Sequence, residues 1–360
     1  SMNNISRLQL ARTHGIGPVS YRQLIARFGD AANALDALPN LAQRGGGRSI
    51  KIASRDAIER EMAAVERCGA TYIFSDDCAY PAILSELPSA PIVLIAKGDT
   101  ALMARKMVAI VGARNASAAA CRFARMLGAG LGEAGYVVVS GLARGIDTAA
   151  HHGAMAHGTI GVIASGIDVY FPPENRALQD QLAAEHLVLS EYVPGTEPLA
   201  RQFPHRNRII AGLALGTVVV EAAPRSGSLV TARLANEAGR EVMAVPGSPL
   251  DPRAQGCNGL IREGATLIQS ASDIIEALGP IDMRMVRQPP RAAYDVLDTA
   301  DPGDDERSTI VSLLGPVAVA VDELARQSGA SVSSLQMILL ELELAGRLQH
   351  HAAGRVSLIS

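Results

Sequence analysis

Aromatic residues are scarce in this 360-residue chain, which has seven Tyr, five Phe and no Trp. A surface that grips its partner mainly by ring stacking is therefore disfavoured. Lysine is nearly missing too, at three of the 33 basic residues. Either Arg-biased codon usage or a need for fixed, bidentate anion contacts accounts for that ratio. The four cysteines, Cys68, Cys78, Cys121 and Cys257, form no C-x-x-C pair, so neither a zinc site nor a disulfide framework is indicated, and a reducing cytoplasm fits. No apolar run approaches the roughly 20 residues of a membrane span. Ser1 ahead of Met2 reads as a tag-removal scar, and the Asn- and Arg-containing start does not read as a signal peptide. No strand is followed by G-x-G-x-x-G, and G-x-x-x-x-G-K-[ST] is absent. A dinucleotide dehydrogenase and a P-loop NTPase are thus disfavoured, and no cofactor is expected.

The charge that is present is unevenly spread. The net charge is −3, yet residues 103–144 hold Arg105, Lys106, Arg114, Arg122, Arg125 and Arg144 against Glu133 alone. Residues 201–240 carry six Arg against Glu221 and Glu237, whereas 279–306 carry seven acids and three Arg.

The length suits two or three domains. Residues 2–75 are expected to be helical. "ISRLQLARTHGIGPVSYRQLIARFG" reads as two helices around Gly-Ile-Gly-Pro, either a helix-hairpin-helix whose glycine turn offers N–H groups to a phosphate or a tight turn between packed helices. The sequence favours neither. Residues 76–280, with a lead at 76–104, change period. "MVAIVGA", "YVVVSG", "TIGVIASG", "HLVLSEY", "TVVVEA", "EVMAVPG" and "ATLIQS" alternate with helical segments. Continuous Val/Ile runs mark strands buried on both faces, so an α/β, doubly wound parallel sheet of seven strands is expected. Its ligands bind beyond the carboxyl ends of the strands. Residues 281–306 read as an acidic, Pro-rich linker. Residues 307–360 give three helices and a hairpin, a winged-helix outline. Its recognition helix, 331–345, lacks Lys and Arg, which favours a structural or protein-binding role over base reading.

Three turns beyond strand ends could hold anions. "VGARNAS" supplies Gly112, Arg114 and Ser117 at the start of a helix, a phosphate cradle in outline. "SGLARGIDTAAHHGA" supplies Arg144, with Asp147 as a helix cap and His151 in a buried hydrogen bond. "APRSGSLVTAR" supplies Ser226, Gly227 and Ser228. "QFPHRNRIIAG" then places Arg206, Asn207 and Arg208 at the start of a helix whose apolar face fixes it. Glu191 and Glu221 are expected to orient the arginines. Tyr170, Phe171 and Phe203 are the nearest rings, and core packing is expected of each.

Taken in order, these motifs resemble the DNA-processing protein A (DprA/Smf) family over about 105–280; "GVIASGIDVYFPPEN", "FPHRNRIIAGLA" and "GCNGLIREGA" carry the resemblance further. The resemblance implies a Rossmann-like sheet domain flanked by a helix-hairpin-helix (SAM-like) domain and a winged helix. It implies a cytoplasmic, non-enzymatic protein that binds single-stranded DNA, pairs as a homodimer through the sheet domain and loads the RecA recombinase during natural transformation. By motif it assigns DNA contact to Gly112, Arg114, Arg206, Asn207 and Arg208, with Arg144 less securely. The alternative is a nucleotide phosphoribohydrolase, but "APRSGSLVTAR" lacks that family's P-G-G-x-G-T-x-x-E. A metal-dependent nuclease would need clustered carboxylates, and Asp147, Glu191 and Glu221 lie in separate motifs. The physical expectation is binding led by Arg–phosphate contacts, steeply salt-dependent and indifferent to base sequence.

Overall fold

A computed structural model describes residues 2–47, 49–287 and 301–359. The chain divides into two compact units, residues 1–60 with 290–360, and residues 61–289. At the N-terminus lie α1 (Met2–Arg12), α2 (Pro18–Phe28) and α3 (Ala31–Arg44). Pro18 sits in the first turn of α2, where its missing N–H costs nothing. The Gly17 N–H ahead of it donates to Ser20 Oγ (2.8 Å).

α4 (Arg55–Arg67) begins in the first unit and ends in the second, which then holds β1 (Thr71–Phe74), α5 (Ala82–Ser85), β2 (Val93–Gly98) and β3 (Met107–Val111). There follow α6 (Ala118–Glu133), β4 (Val137–Ser140), α7 (Ile146–Ala154), β5 (Thr159–Ile163), α8 (Arg176–Glu185) and β6 (Leu187–Ser190). The last part is α9 (Gln202–Leu213), β7 (Gly216–Val219), α10 (Gly227–Glu237), β8 (Glu241–Ala244), α11 (Gln255–Arg262), β9 (Thr266–Leu267) and α12 (Ala271–Arg287). The nine strands form one sheet in the order β1-β2-β6-β5-β4-β3-β7-β8-β9. All seven expected strands are present as β3 to β9, and they pair in parallel. Two further strands correct the reading of the lead. β1 and β2 run antiparallel and extend the sheet beyond β6. Helix therefore stops short of residue 75, where the β-branched and aromatic Thr-Tyr-Ile-Phe prefers an extended backbone.

Burial on both faces explains the Val/Ile runs. Met107, Ala109 and Val111 turn to the layer of α9, α10 and α11, while Val108 and Ile110 turn to α6, α7 and α12, as the two-residue period of a strand dictates. β3 leads through α6 to β4 on one side, and its neighbour β7 leads through α10 to β8 on the other. The order in which the chain lays down its strands thus reverses between β3 and β7, although those two strands are parallel.

α12 continues to Arg287, into the stretch expected as linker; residues 288–300 of that stretch lie outside the described residues. Beyond it are α13 (Asp304–Leu313), β10 (Val319–Ala320), α14 (Val321–Ser328), α15 (Val332–Leu344), β11 (Leu348–His351) and β12 (Arg355–Leu358), the winged helix. α15 is apolar nearly all round, as a helix buried on several sides must be. One side joins the core of α13 and α14 and another packs on α3. The chain beyond α3 comes so close that a Cβ on Gly45 would stand 2.1 Å from the Glu341 carbonyl oxygen. Glu341, only 1% exposed, is held there by a bidentate pair with Arg307 (2.8 and 3.1 Å). No helix among the described residues is long and apolar enough to cross a membrane.

Candidate functional site

The turns beyond the strand ends carry almost every residue singled out above, but the fold sorts them into four places. Arg114 is exposed in the turn after β3. Arg144, exposed in the turn after β4, donates through Nε to Glu174 (2.6 Å). Arg206 sits in the N-terminal half of α9. With Phe171, Pro172 and Phe203 these three arginines line an open cleft, together with Gly141, Ala143 and residues 163–165. The Phe171 and Phe203 rings meet at 5.6 Å. The guanidinium carbons of Arg114 and Arg206 lie 5.1 and 5.6 Å from the Phe203 ring centre, within cation–π range.

The ring pair corrects the expectation of core packing: Phe171 is 41% exposed. The spacing held a clue to this arrangement. Phe203 and Arg206 are three residues apart, so a helix sets them on one face. Tyr170 does turn away, its hydroxyl donating to Asp180.

Arg206 is not held out to solvent. It is 5% exposed, and its Nη1 donates to the carbonyls of Gly141 (3.0 Å) and Val162 (2.6 Å). Its Nε donates to Asn207 Oδ1 (3.1 Å), which occupies Asn207 in turn. Burial lowers the Arg206 pKa to about 10, with Arg114 adding to the effect and Asp147 opposing it, so the side chain stays charged at neutral pH. Asp147 is not the helix cap expected. Its Oδ2 accepts from the Gly141 and Ala143 N–H groups (3.1 and 3.3 Å), pinning the turn under which Arg206 lies. Burial nonetheless raises the Asp147 pKa, outweighing Arg206 and the two amides. Arg206 is therefore the floor of the cleft, and Arg114 and Arg144 are its outward-facing charges.

Arg208 is committed to Glu191, donating at 2.7 Å. Burial works against the Glu191 charge, but His205 and Arg208 outweigh it and hold the carboxyl below its usual range. That pairing matches the orienting role expected of Glu191. Glu221 does something else. Its carboxylate accepts from the Ser117 N–H (2.9 Å) and hydroxyl (2.8 Å), while Ser117 Oγ caps α6 by accepting from the Ala120 N–H (3.1 Å). The anion place at the start of α6, at the reversal of strand order between β3 and β7, is filled by the protein's own carboxylate. Gly112 serves packing there, since a Cβ would stand 2.6 Å from Ile146 Cγ1. Ser226 Oγ accepts from the Ser228 N–H (3.3 Å) and shares a hydrogen bond with the Ser228 hydroxyl (2.7 Å). Ser226, Gly227 and Ser228 stand at the start of α10 and do not line the cleft.

His151 has the buried hydrogen bond expected of it, Nδ1 to Thr159 Oγ1 (2.7 Å); burial lowers its pKa to about 3, so it is neutral. Among the described residues no group of His, Cys, Asp and Glu is placed to hold a metal ion.

Comparison with known proteins bears on all three parts of the chain. Residues 71–279 match the family model described as DNA recombination-mediator protein A. Residues 2–64 match a DprA-like N-terminal HHH domain, and 291–354 a DprA winged helix domain. The DNA processing protein DprA of Streptococcus pneumoniae is 50% identical over 56% of this chain and 71% of its own. An X-ray structure of DprA from that organism superposes with a TM-score of 0.63 at 38% identity, over 77% of this chain and 97% of that one. A structure of DNA processing protein A from Helicobacter pylori, which gives insight into that protein's single-stranded DNA binding mode, superposes at 0.53 with 28% identity, over 59% and 97%. On these matches the chain belongs to the DNA-processing protein A (DprA/Smf) family.

Proposed function

We propose that this protein binds single-stranded DNA without regard to sequence in the cleft of Arg114, Arg144, Phe171 and Phe203, shields it, and loads the RecA recombinase onto it during natural transformation. It does so in the cytoplasm, as a homodimer through the sheet domain, and without catalysis. The observation that carries the reading is Arg114, exposed and poised over the Phe203–Phe171 pair. A cation beside an accessible ring suits a strand whose phosphates and unpaired bases are both within reach. A duplex hides its base faces and gains nothing from the rings. The H. pylori relative binds the same ligand, single-stranded DNA. Asp147, Glu191 and Glu221 are each engaged within the chain, which supports binding over acid–base chemistry.

The test is fluorescence anisotropy of labelled single- and double-stranded oligonucleotides across a salt series. Arg114→Ala should weaken single-strand binding and flatten the log–log salt slope by about 0.7, one phosphate contact. Phe203→Ala should cost about 1–3 kcal/mol of stacking, with the slope unchanged. Binding that neither substitution alters would refute the assignment of DNA to this cleft.

A further inference from the structure

The cleft uses only part of the positive charge that the sequence concentrates in residues 103–144. Arg114 and Arg144 stand at its mouth. Arg105 is occupied by the carbonyls of His157 and Gly135 (3.0 and 3.2 Å). Lys106 is engaged within the chain, and Arg122 and Arg125 remain. They sit three apart on α6, hence on one face, and both are exposed. Neither has an ion-pair or hydrogen-bond partner among the described residues.

Within their own stretch of chain the charge is nearly one-signed, while α12, which also packs on α6, brings Asp273 and Glu276. Between residues 112 and 158 the only acids are Glu133 and Asp147. Glu133 ends α6, and Asp147 is 6% exposed beneath the turn it pins. α7 lies against α6 so closely that a Cβ on Gly153 would stand 2.1 Å from the Arg125 carbonyl oxygen. This contact brings exposed His152 beside Arg125, whose charge helps, after burial, to lower the His152 pKa.

The two helices also lead directly from the cleft. α6 starts a few residues after Arg114 and α7 just after Arg144, and the Ile146 N–H ties the two turns by donating to the Ala113 carbonyl (3.2 Å). At 1.5 Å per residue, Arg125 lies about 10 Å along α6. Ala118 and Ala119, exposed between Arg114 and Arg122, put no bulk in the way.

We infer that Arg122 and Arg125 of α6, with His152 of α7 beside them, form a phosphate track that carries single-stranded DNA onward from the cleft. This rests on the placement of DNA in the cleft. The track holds backbone through its cations, since Phe123 between them packs partly into the core, so it lengthens the bound strand and adds little base preference.

Anisotropy of Arg122→Ala/Arg125→Ala with oligo-dT of about six and about twenty nucleotides tests this, the shorter being sized for a single compact groove. Both positions are on the surface, and an unchanged melting curve would verify the fold. The long oligonucleotide should bind more weakly, with its salt slope reduced by about 1.4 for two phosphate contacts. Its deficit should then shrink about sevenfold between about 50 and 200 mM salt. The short one should be unaffected. The track is refuted if the long oligonucleotide binds the variant as it binds wild type, or if both lengths weaken equally. Arg114→Ala, run alongside, separates the two ideas. Should it weaken both lengths while the α6 variant weakens neither, the track falls and the cleft stands; should it weaken neither, the cleft itself falls.

Discussion

Replacing Arg206 by Ala removes the cation beneath the turn after β4 and leaves three kinds of group stranded. The Gly141 and Val162 carbonyls lose their donor, the Asn207 side chain loses its partner, and the Asp147 carboxylate is left buried without its countercharge. Arg206 and Asp147 attract without a direct bond, and leaving a buried carboxylate without its countercharge costs up to about 3–5 kcal/mol, the range for one side of a broken buried pair. The stranded carbonyls act in the same direction. For a unit of this size each kcal/mol is worth about 2–4 °C, so a fall in melting temperature of about 6–20 °C is expected. The loss should also depend on pH. A carboxyl whose pKa is raised by folding binds protons more readily in the native state, so its contribution to stability falls as pH rises above the ordinary carboxylate range. Without Arg206 nothing cationic holds Asp147 down, and its pKa climbs further. The variant should therefore lose less stability at about pH 5 than at about pH 8. Urea titrations at the two pH values read both quantities. A variant that unfolds like wild type at both, yet no longer binds DNA, would show that Arg206 faces the ligand, and the description of it as a floor would be wrong.

Removing the α6 cap by Ser117→Ala should cost about 0.5–2 kcal/mol and leave DNA affinity unchanged, because Glu221 already fills the anion place there; a loss of affinity in anisotropy would contradict this. In the unit formed by both ends of the chain, Arg307→Ala should cost about 3–5 kcal/mol by isolating the buried Glu341 carboxylate, and hydrogen exchange should locate the loosening in α13 and α15.

The seven parallel strands were legible because a strand covered on both faces must be apolar throughout, and "MVAIV" or "VVVS" admits few other readings. β1 and β2 were not, since antiparallel strands joined to a sheet edge leave only short apolar runs beside helical neighbours. The arginine-rich turns were found as residues but not as directions. "FPHRNR" places two cations on a helix, yet whether a guanidinium rises into a cleft or sinks beneath it depends on the Gly141 and Val162 carbonyls, partners from other elements. The same holds for Ser117, whose ligand turns out to be Glu221, 104 residues away. Phe171 and Phe203 are not legible as a surface pair, because they lie 32 residues apart and meet only once β6 and α9 are placed.

The packing of α15 on α3 has a consequence for how the chain acquires its structure. Those two helices are separated by nearly the whole sequence, so their contact is among the most non-local in the protein, and such contacts are slow to form. During synthesis the sheet domain can assemble once residue 289 has emerged. The α3 surface, made long before, must stay uncovered until residues 332–344 are translated. The first helices made are thus among the last to be finished, and in that interval the apolar face of α3 is open to a chaperone.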